Sequence, residues 1–481
     1  MNLFSRIKSW FTSTVTRHTV TGSYDAARTT KENQNHWANA DDYSANAANS
    51  PGVRRTLRKR SRYERANNSY LNGLVKTIAN DTIGTGPRLQ LGLPDRVLAR
   101  RVEKAWKNWC RNIDLADKLR VMCEGKVGDG EAFAVLTTNP LTRGPVKLDV
   151  RLVEADQVTT PLLPTMDPLA VDGIRFDRFG NPVEYHLLKS HPGDLVTVRP
   201  WEYDTIPARN VLHWFRPDRP GQARGVPELT AALPLGAQMR RYTLAVISAA
   251  EFAASISGIM KSTLPPDENG PVAVDAMDEI PTSRNNLLTL PAGWDASQFK
   301  AEQPTGTYKE FKGEILNEMG RCLNAPFNII AGNSSGYNYS SGRLDHQLYH
   351  RSLWIERERM RSRVLDKLFM SWLDEFFLIP EAEGGAPQGL PPVDSWEWDW
   401  HWDGFTSIDP MKDANAAEVR LTLGLSTLAE EAASEGKDWE EQLEQQAREL
   451  ARRAELGIPA PGATPSPAPG EADTPKETAD V

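Results

Sequence analysis

The sequence predicts an α+β subunit with long helices, a β-rich region and a helical C-terminal part. Apolar residues recur at helical spacing over 54–83, 95–110 and 115–128. Residues 145–215 instead alternate or are β-branched, which is typical of strands. An Ala-rich apolar stretch then predicts one long helix over 227–260. With 481 residues, of which 40% are hydrophobic, the chain is long enough for roughly two to four domains.

The N-terminal half begins with a polar stretch, residues 1–50, that predicts a flexible arm. The helix over 54–83 is basic at its start, with seven Arg/Lys and one Glu in RRTLRKRSRYER, and Gly84-Thr85-Gly86-Pro87 ends it. The helix over 95–110 presents an apolar face. That face consists of Val97, Val102, Trp106 and Trp109. The turn Gly128-Asp129-Gly130 separates the third helix from the strand AFAVL, and Phe179-Gly180-Asn181-Pro182 marks a turn inside the β-rich region.

In the C-terminal half, Pro234 predicts a kink in the helix over 227–260. A strand NNLLTL, a helix over 307–323 and an exposed Gly/Ser/Asn loop over 331–342 follow. A long helix from Arg343 to Phe377 ends before Pro380. Trp396, Trp398, Trp400 and Trp402 then alternate with charged residues, as in a strand with a tryptophan core face. Two helices, over 411–424 and 427–455, precede a Pro/Ala/Glu-rich tail without fixed structure.

Composition excludes several classes of protein. Three scattered cysteines exclude a disulfide scaffold and favour a reducing cytoplasm, and no apolar run is long enough to span a membrane. The net charge of −8 is uneven: from residue 371 onward there are 24 acidic and 7 basic residues. The rest of the chain is therefore net positive, which favours nucleic acid as a partner, although solvated surface charge is the commoner explanation of such a balance.

Motifs that carry catalysis are incomplete. His346 and His350 have the spacing of a zinc-binding helix, but Gln347 stands where a metalloprotease has its general base. No nucleotide-binding glycine loop and no G-x-S-x-G nucleophile motif occur in the sequence. We therefore predict no catalytic residue, no metal and no cofactor, and that the chain is not an enzyme.

An ordered series of fragments resembles the lambda family of phage portal proteins, over about residues 55–457. The fragments are RYERANNSYLNGLVKTIANDTIGTGPRLQ, DGEAFAVL, LVEADQV, DGIRFDRFGNPVEYHLL, IPARNVLHWFRPDRPGQARGVPELTAAL, CLNAPFNIIAGNSSGYNYSSGR and SIDPMKDANAAEVRLTLGLSTL. The resemblance implies a portal-type ring subunit, usually one of twelve, at one vertex of a tailed-phage capsid. Double-stranded DNA would pass through the ring during packaging and ejection. Another phage head protein (scaffold or capsid), or a DNA-processing enzyme with an unrecognised site, remains an alternative.

The resemblance also implies partners, a location and a division of the chain. The partners are the terminase large subunit, which supplies ATP hydrolysis, capsid and scaffold proteins, and head–tail connector proteins, with no membrane. The protein would be assembled in the host bacterial cytoplasm and end in the virion. The expected regions are a flexible arm (1–50), a wing-like α/β region (51–144), a β-rich clip-like region (145–226), a stem-like helix with wing strands (227–330), a tunnel loop (331–342), a long helix (343–380), a wing/crown-like region (381–457) and the tail (458–481).

The tunnel loop is the candidate DNA-contacting site. Small neutral polar groups suit a conduit, because many ion pairs to phosphate would hold DNA in place. The candidate channel residues are Asn333, Ser334, Ser335, Gly336, Tyr337, Asn338, Tyr339, Ser340, Ser341 and Arg343. The two tyrosines either brace the loop on the next helix or donate to the sugar–phosphate backbone. An ordinary surface loop is the alternative interpretation.

Overall fold

The structure, a computed structural model, describes residues 25–27, 30–160, 167–194, 202–255, 259–262, 294–297, 307–405 and 409–459. It is an α+β fold, as predicted. The α-helices are α1 (Ala45–Ala48), α2 (Pro51–Asn67), α3 (Ser69–Ile83), α4 (Arg96–Asn112), α5 (Leu115–Asp129), α6 (Leu233–Ser255), α7 (Tyr308–Arg321), α8 (Phe327–Ala331), α9 (Tyr339–Met360), α10 (Asp366–Phe376), α11 (Pro410–Thr422), α12 (Leu428–Ser434) and α13 (Trp439–Glu455). A π-helical turn, Arg361–Leu365, joins α9 to α10.

The strands form small antiparallel sheets. They are β1 (Arg88–Leu91), β2 (Glu131–Thr138), β3 (Leu148–Val153), β4 (Ala170–Val171), β5 (Ile174–Phe176), β6 (Pro182–Leu188), β7 (Tyr203–Pro207), β8 (Val211–Phe215), β9 (Ile259–Ser262), β10 (Trp294–Ser297) and β11 (Trp398–His401). Their orders are β3-β2-β8, β4-β5-β6-β7, β1-β11 and β9-β10. The β-rich region is confirmed, but its first and last strands flank β2, so it shares a sheet with the region before it.

The basic N-terminal helix is two helices rather than one. Asn68 leaves the helical conformation, and its side chain accepts hydrogen bonds from the backbone of Tyr70 and Leu71. Asparagine is a strong N-cap, so it ends α2 and begins α3 within one residue. The predicted end at Gly84 is confirmed, with φ of 58°.

The main core is aromatic and lies between α4, α10 and β11. Trp106 is 5.4 Å from Trp372 and 5.6 Å from Trp400, measured between ring centroids. The indole nitrogens of Trp398 and Trp400 both donate to Asp366 Oδ1 at 2.9 Å. The tryptophan core face is thus confirmed for the strand, whereas Val97, expected on the apolar face of α4, is 71% exposed.

A second core brings distant parts of the chain together. It joins α3, the start of α6, α7 and α9 around Leu71, Leu74, Met319, Tyr349 and Leu353. Because these helices pack on one another, α9 is fixed on one side by the body of the subunit. A third, smaller core lies within the β-rich region.

Two predicted helix limits are wrong. The long helix begins at Leu233 rather than 227, so Pro234 lies in its first turn, where a missing N–H costs nothing, and it causes no kink. The helix predicted over 427–455 is interrupted between α12 and α13. Gly436 has φ of 72° there, and an added Cβ would lie 2.3 Å from the carbonyl oxygen of Trp402.

Some predictions fall outside the described residues, namely the arm up to residue 24, the strand NNLLTL and the tail from residue 460. Among the described helices, none is long and apolar enough to cross a membrane.

Candidate channel loop and charged clusters

The candidate loop is shorter than predicted. Helix α8 ends at Ala331, Gly332 adopts φ of 61°, and α9 begins at Tyr339. Asn338 and Ser341 form a reciprocal capping box, in which each side chain accepts from the other's backbone N–H. This cap starts the helix four residues before the predicted Arg343. Ser340, Ser341 and Arg343 therefore lie on the first turns of α9, and the loop itself is 332–338.

Local hydrogen bonds shape the loop. Asn333 Oδ1 accepts from the backbone N–H of Ser335 at 2.9 Å, and the N–H of Tyr337 donates to the carbonyl of Ser334 at 3.1 Å. Asn333, Ser334, Ser335, Gly336 and Asn338 are all exposed. The loop thus presents small polar groups to its surroundings and holds its shape without a core.

Tyr337 is the half-buried member of the loop. Its ring is near Gly342, where an added Cβ would lie 3.6 Å from Tyr337 Cδ1. Burial raises the pKa of its hydroxyl, and a hydrogen bond to Asp345 raises it further. Of the two roles considered for the tyrosines, these contacts favour bracing for Tyr337, because the side chain is directed at α9.

Arg343 is placed at the junction of α9 with the C-terminal helices. Its Nη2 lies 3.9 Å from Asp413 Oδ1 of α11, and both side chains are about half exposed. The candidate loop and the start of α11 are therefore neighbours in the subunit.

Most basic residues of α2 form ion pairs within the subunit. Arg54 is buried and pairs with Asp172, and Arg58 is buried and pairs with Glu131 and Asp156. The two other paired arginines of α2 are Arg62, with Asp129, and Arg65, with Glu124. Four of the seven basic residues are thus neutralised within the described structure, which weakens the inference from charge to nucleic acid.

Glu131 is the centre of this ion-pair network. It lies at the start of β2 and is fully buried. Arg224 Nη2 contacts its Oε1 at 2.7 Å, Arg224 Nε contacts Oε2 at 2.9 Å, and His213 Nε2 is 3.2 Å from Oε2. Burial would raise the pKa of Glu131, but the charges of Arg224 and Arg58 and the hydrogen bond with His213 hold it well below its ordinary value. The network joins α2 to the β-rich region.

A second buried charge lies on α5. Lys126 Nζ is 2.8 Å from Glu228 and 2.7 Å from Glu356, and the indole of Trp214 donates to Glu356 at 2.8 Å. Sequence reasoning missed Glu131, Arg224 and Lys126. One signal was available for Glu131, which directly precedes the apolar run AFAVL, because a charge beside a buried strand requires a buried partner.

The two histidines of α9, His346 and His350, are engaged in contacts within the subunit. His346 Nε2 is 2.7 Å from Asn328 Nδ2, and the His350 ring stacks on Phe405 with 3.7 Å between centroids. Burial, together with the charges of His346 and Arg357, lowers the pKa of His350 to about 4. Both rings are therefore held by contacts that a shared metal ion would disrupt.

Among the described residues, the side chains of Glu154, Asp156 and His191 lie close enough together to offer three ligand atoms to one metal ion. The guanidinium of Arg62 already lies 2.8 Å from Asp156 Oδ2 and 3.2 Å from Glu154 Oε2. A metal ion there would be repelled by this fixed positive charge.

Comparison with known proteins decides the family. The family model described as "Phage portal protein, lambda family" matches residues 31–353, about two thirds of the chain. The chain belongs to the lambda family of phage portal proteins. This is a family of structural proteins.

Curated relatives agree with the family. This portal protein is 24% identical over 477 residues to a probable portal protein of Halomonas phage phiHAP-1, covering 92% of this chain and 89% of the relative. It is 21% identical to portal protein B of Escherichia phage lambda, covering 82% and 83%.

Among solved structures, the fold is similar to a chain in the neck of a native gene transfer agent particle. The TM-score is 0.46 with 14% identity, covering 81% of this chain and 94% of that one. A chain from the neck of the empty particle gives a TM-score of 0.48 with 14% identity, covering 83% and 93%.

Proposed function

We propose that this portal protein forms a closed dodecameric ring at one capsid vertex and is the channel for double-stranded DNA during packaging and ejection. Family membership supports this proposal. The ring would be assembled in the host cytoplasm with capsid and scaffold proteins. It would then dock the terminase large subunit during packaging and the head–tail connector proteins afterwards.

The observation that carries the ring is that α9 is apolar on two opposite faces. Tyr349, Leu353 and Met360 face the body of the subunit and are buried. On the opposite side Leu344, Leu348 and Ile355 are 64%, 59% and 57% exposed. These three form the outer stripe of α9, about 16 Å long at 1.5 Å per residue.

A helix that is apolar on both sides is normally covered on both sides. Within the described residues nothing covers the outer stripe, so a second copy of the chain is the occupant that ring formation supplies. In a ring each contact is heterologous, since the outer stripe of one subunit meets a different surface of the next. Repeating that contact around an axis closes a ring when the rotation between neighbouring subunits divides a full turn.

The candidate loop fits the inside of such a ring. Its exposed side chains are neutral and short, with Arg343 at the base, so the contact with phosphates would be weak and independent of sequence. The region names given above (wing, clip, stem and crown) remain proposals. The shared sheet of β2, β3 and β8 implies that the clip-like region moves with the wing rather than independently.

Removal of Ser334–Gly336 is expected to leave the ring intact and to impair DNA packaging or retention. The three residues are exposed and belong to no core cluster, so their loss removes almost no buried surface. The measurement is packaged DNA per head in an assay with terminase, together with the thermal stability of the purified ring.

A length-preserving variant, Ser334→Ala with Ser335→Ala, is the matched control and should package at the normal rate. If the shortened loop also packages at the normal rate and the heads retain full-length DNA, the loop is only a surface connection and its assignment to the channel is wrong.

A further inference from the structure

The outward side of α2 carries positive charge without a counter-charge. Four arginines of this helix pair with carboxylates inside the subunit. The remaining bases, Arg55, Lys59 and Arg60, are exposed, and none of them forms an ion pair with a described residue. They lie within five residues, about 7.5 Å of helix. These three side chains form the basic face of α2.

Helix α7 carries the opposite charge in a similar arrangement. Glu310, Glu314 and Glu318 recur every four residues, so they lie one above another along about 12 Å of helix. All three are exposed, and no basic side chain in the described ranges pairs with them. Arg321 follows at the end of α7, but its Nη1 donates to Asn324 Oδ1 at 3.2 Å. The three glutamates form the acidic stripe of α7, and because like charges at this spacing repel one another, a positive partner would stabilise it.

The helices that carry these two faces flank α6 on opposite sides. Arg240 of α6 contacts α2, with its Nη2 2.9 Å from Glu64 Oε1. Tyr242 of α6 contacts α7, with 5.8 Å between its ring centroid and that of Tyr308. Residues two apart point about 200° apart around a helix of 3.6 residues per turn. The basic face and the acidic stripe are therefore separated within one subunit by α6.

Two copies of the chain side by side can bring the two faces together. We propose that, in the ring, the basic face of α2 of one subunit pairs with the acidic stripe of α7 of the next. The proposal rests on the ring of the proposed function and adds a contact to the outer stripe of α9. Each subunit offers one face of each sign, so the contact is heterologous, as a ring requires. A DNA backbone would match the basic face alone and would leave the three carboxylates without a partner.

Two charge-reversal variants test this contact. They are Arg55→Glu/Lys59→Glu/Arg60→Glu, which reverses the basic face, and Glu310→Lys/Glu314→Lys/Glu318→Lys, which reverses the acidic stripe. Each variant alone places like charges at every contact and should need about tenfold more protein for half-maximal assembly, because three exposed ion pairs contribute about a factor of two each. An equimolar mixture should assemble as the unchanged protein does, because subunits that alternate around an even-numbered ring pair opposite charges at every contact.

The measurement is light scattering over a dilution series at low salt, with circular dichroism to confirm that each variant is folded. At about 1 M salt, where charges are screened beyond about 3 Å, the differences should largely disappear.

The matched control is Lys104→Glu/Lys107→Glu/Arg111→Glu on α4, which changes the net charge by the same amount at exposed positions. It should assemble normally. Helix α4 already lies beside carboxylates, since its Arg96, Arg100 and Arg101 pair with Glu440, Glu444 and Glu381.

The outcomes separate this contact from the ring itself. If the unchanged protein forms rings and both variants assemble at the same concentration, or if mixing does not restore impaired variants, the contact is wrong and the ring remains supported. A monomeric unchanged protein would contradict both. Normal assembly of the first variant with weaker binding of a short DNA duplex would assign the basic face to DNA instead.

Discussion

Replacing Glu131 with glutamine is expected to lower the free energy of unfolding by about 3 kcal/mol, because two buried guanidinium groups lose the carboxylate that they share and keep only one partly buried partner each, Asp156 for Arg58 and Asp172 for Arg224. The substitution preserves side-chain volume, so the loss reports charge rather than packing. Arg224 is fully buried and Arg58 is nearly so, which leaves water little access to either guanidinium. Urea unfolding of the two proteins, followed by circular dichroism, measures the difference.

The matched control is Glu124→Gln. Glu124 also pairs with an arginine of α2, at 3.0 Å, but 30% of its side chain is exposed. Its loss should cost less than about 1 kcal/mol, as for other exposed ion pairs. If Glu131→Gln is as mild as this control, the network is not what joins α2 to the β-rich region.

The difference should also depend on pH. The pKa of Glu131 in the folded protein is well below its ordinary value of 4.5, because Arg224 and Arg58 outweigh the effect of burial. Its contribution is therefore complete above the unfolded-state pKa and is lost as the pH falls toward the folded-state pKa. Below about pH 4 the gap between the unchanged protein and Glu131→Gln should narrow.

Replacing Leu348 with glutamate is expected to abolish ring formation while leaving the subunit folded. Leu348 lies in the middle of the outer stripe of α9 and is 59% exposed, so the monomer tolerates the charge. Losing one buried leucine costs each subunit contact about 2–3 kcal/mol. That is a weakening on the order of 100-fold per contact. Light scattering at micromolar concentration, with circular dichroism for the fold, measures both effects.

Leu141→Glu is the matched control, because Leu141 is 91% exposed and lies on the β2–β3 hairpin away from α9. It should assemble as the unchanged protein does. Normal assembly of Leu348→Glu would exclude the outer stripe from the subunit contact.

Local patterns predicted most of the elements, because helix and strand periodicity and stop residues act over short distances. The end of α3 at Gly84 and the tryptophan strand β11 are examples. The predicted helix limits were wrong where a single capping residue began a new helix. Asn68 capped a new helix inside a helical pattern, and the cap at Asn338 started α9 early. Both residues are common N-caps, but their pattern alone does not say whether the cap is used.

The candidate loop was predicted in position, but not its bracing by Tyr337 on α9. The buried charges were not predicted at all, because their partners are distant in sequence. Arg54 pairs with a residue 118 positions away, and Arg224 pairs with one 93 positions away. Only the folded arrangement of α2, β2 and the loops brings such partners together, so a count of charges along the chain does not separate paired arginines from exposed ones.

Negative-stain electron microscopy of the purified full chain tests the central claim most directly. The account predicts closed rings with a central hole, and a mass by light scattering of about twelve subunits, as expected for a heterologous contact that closes. A stable monomer at micromolar concentration at every salt concentration, or open filaments and shells in place of rings, would contradict it.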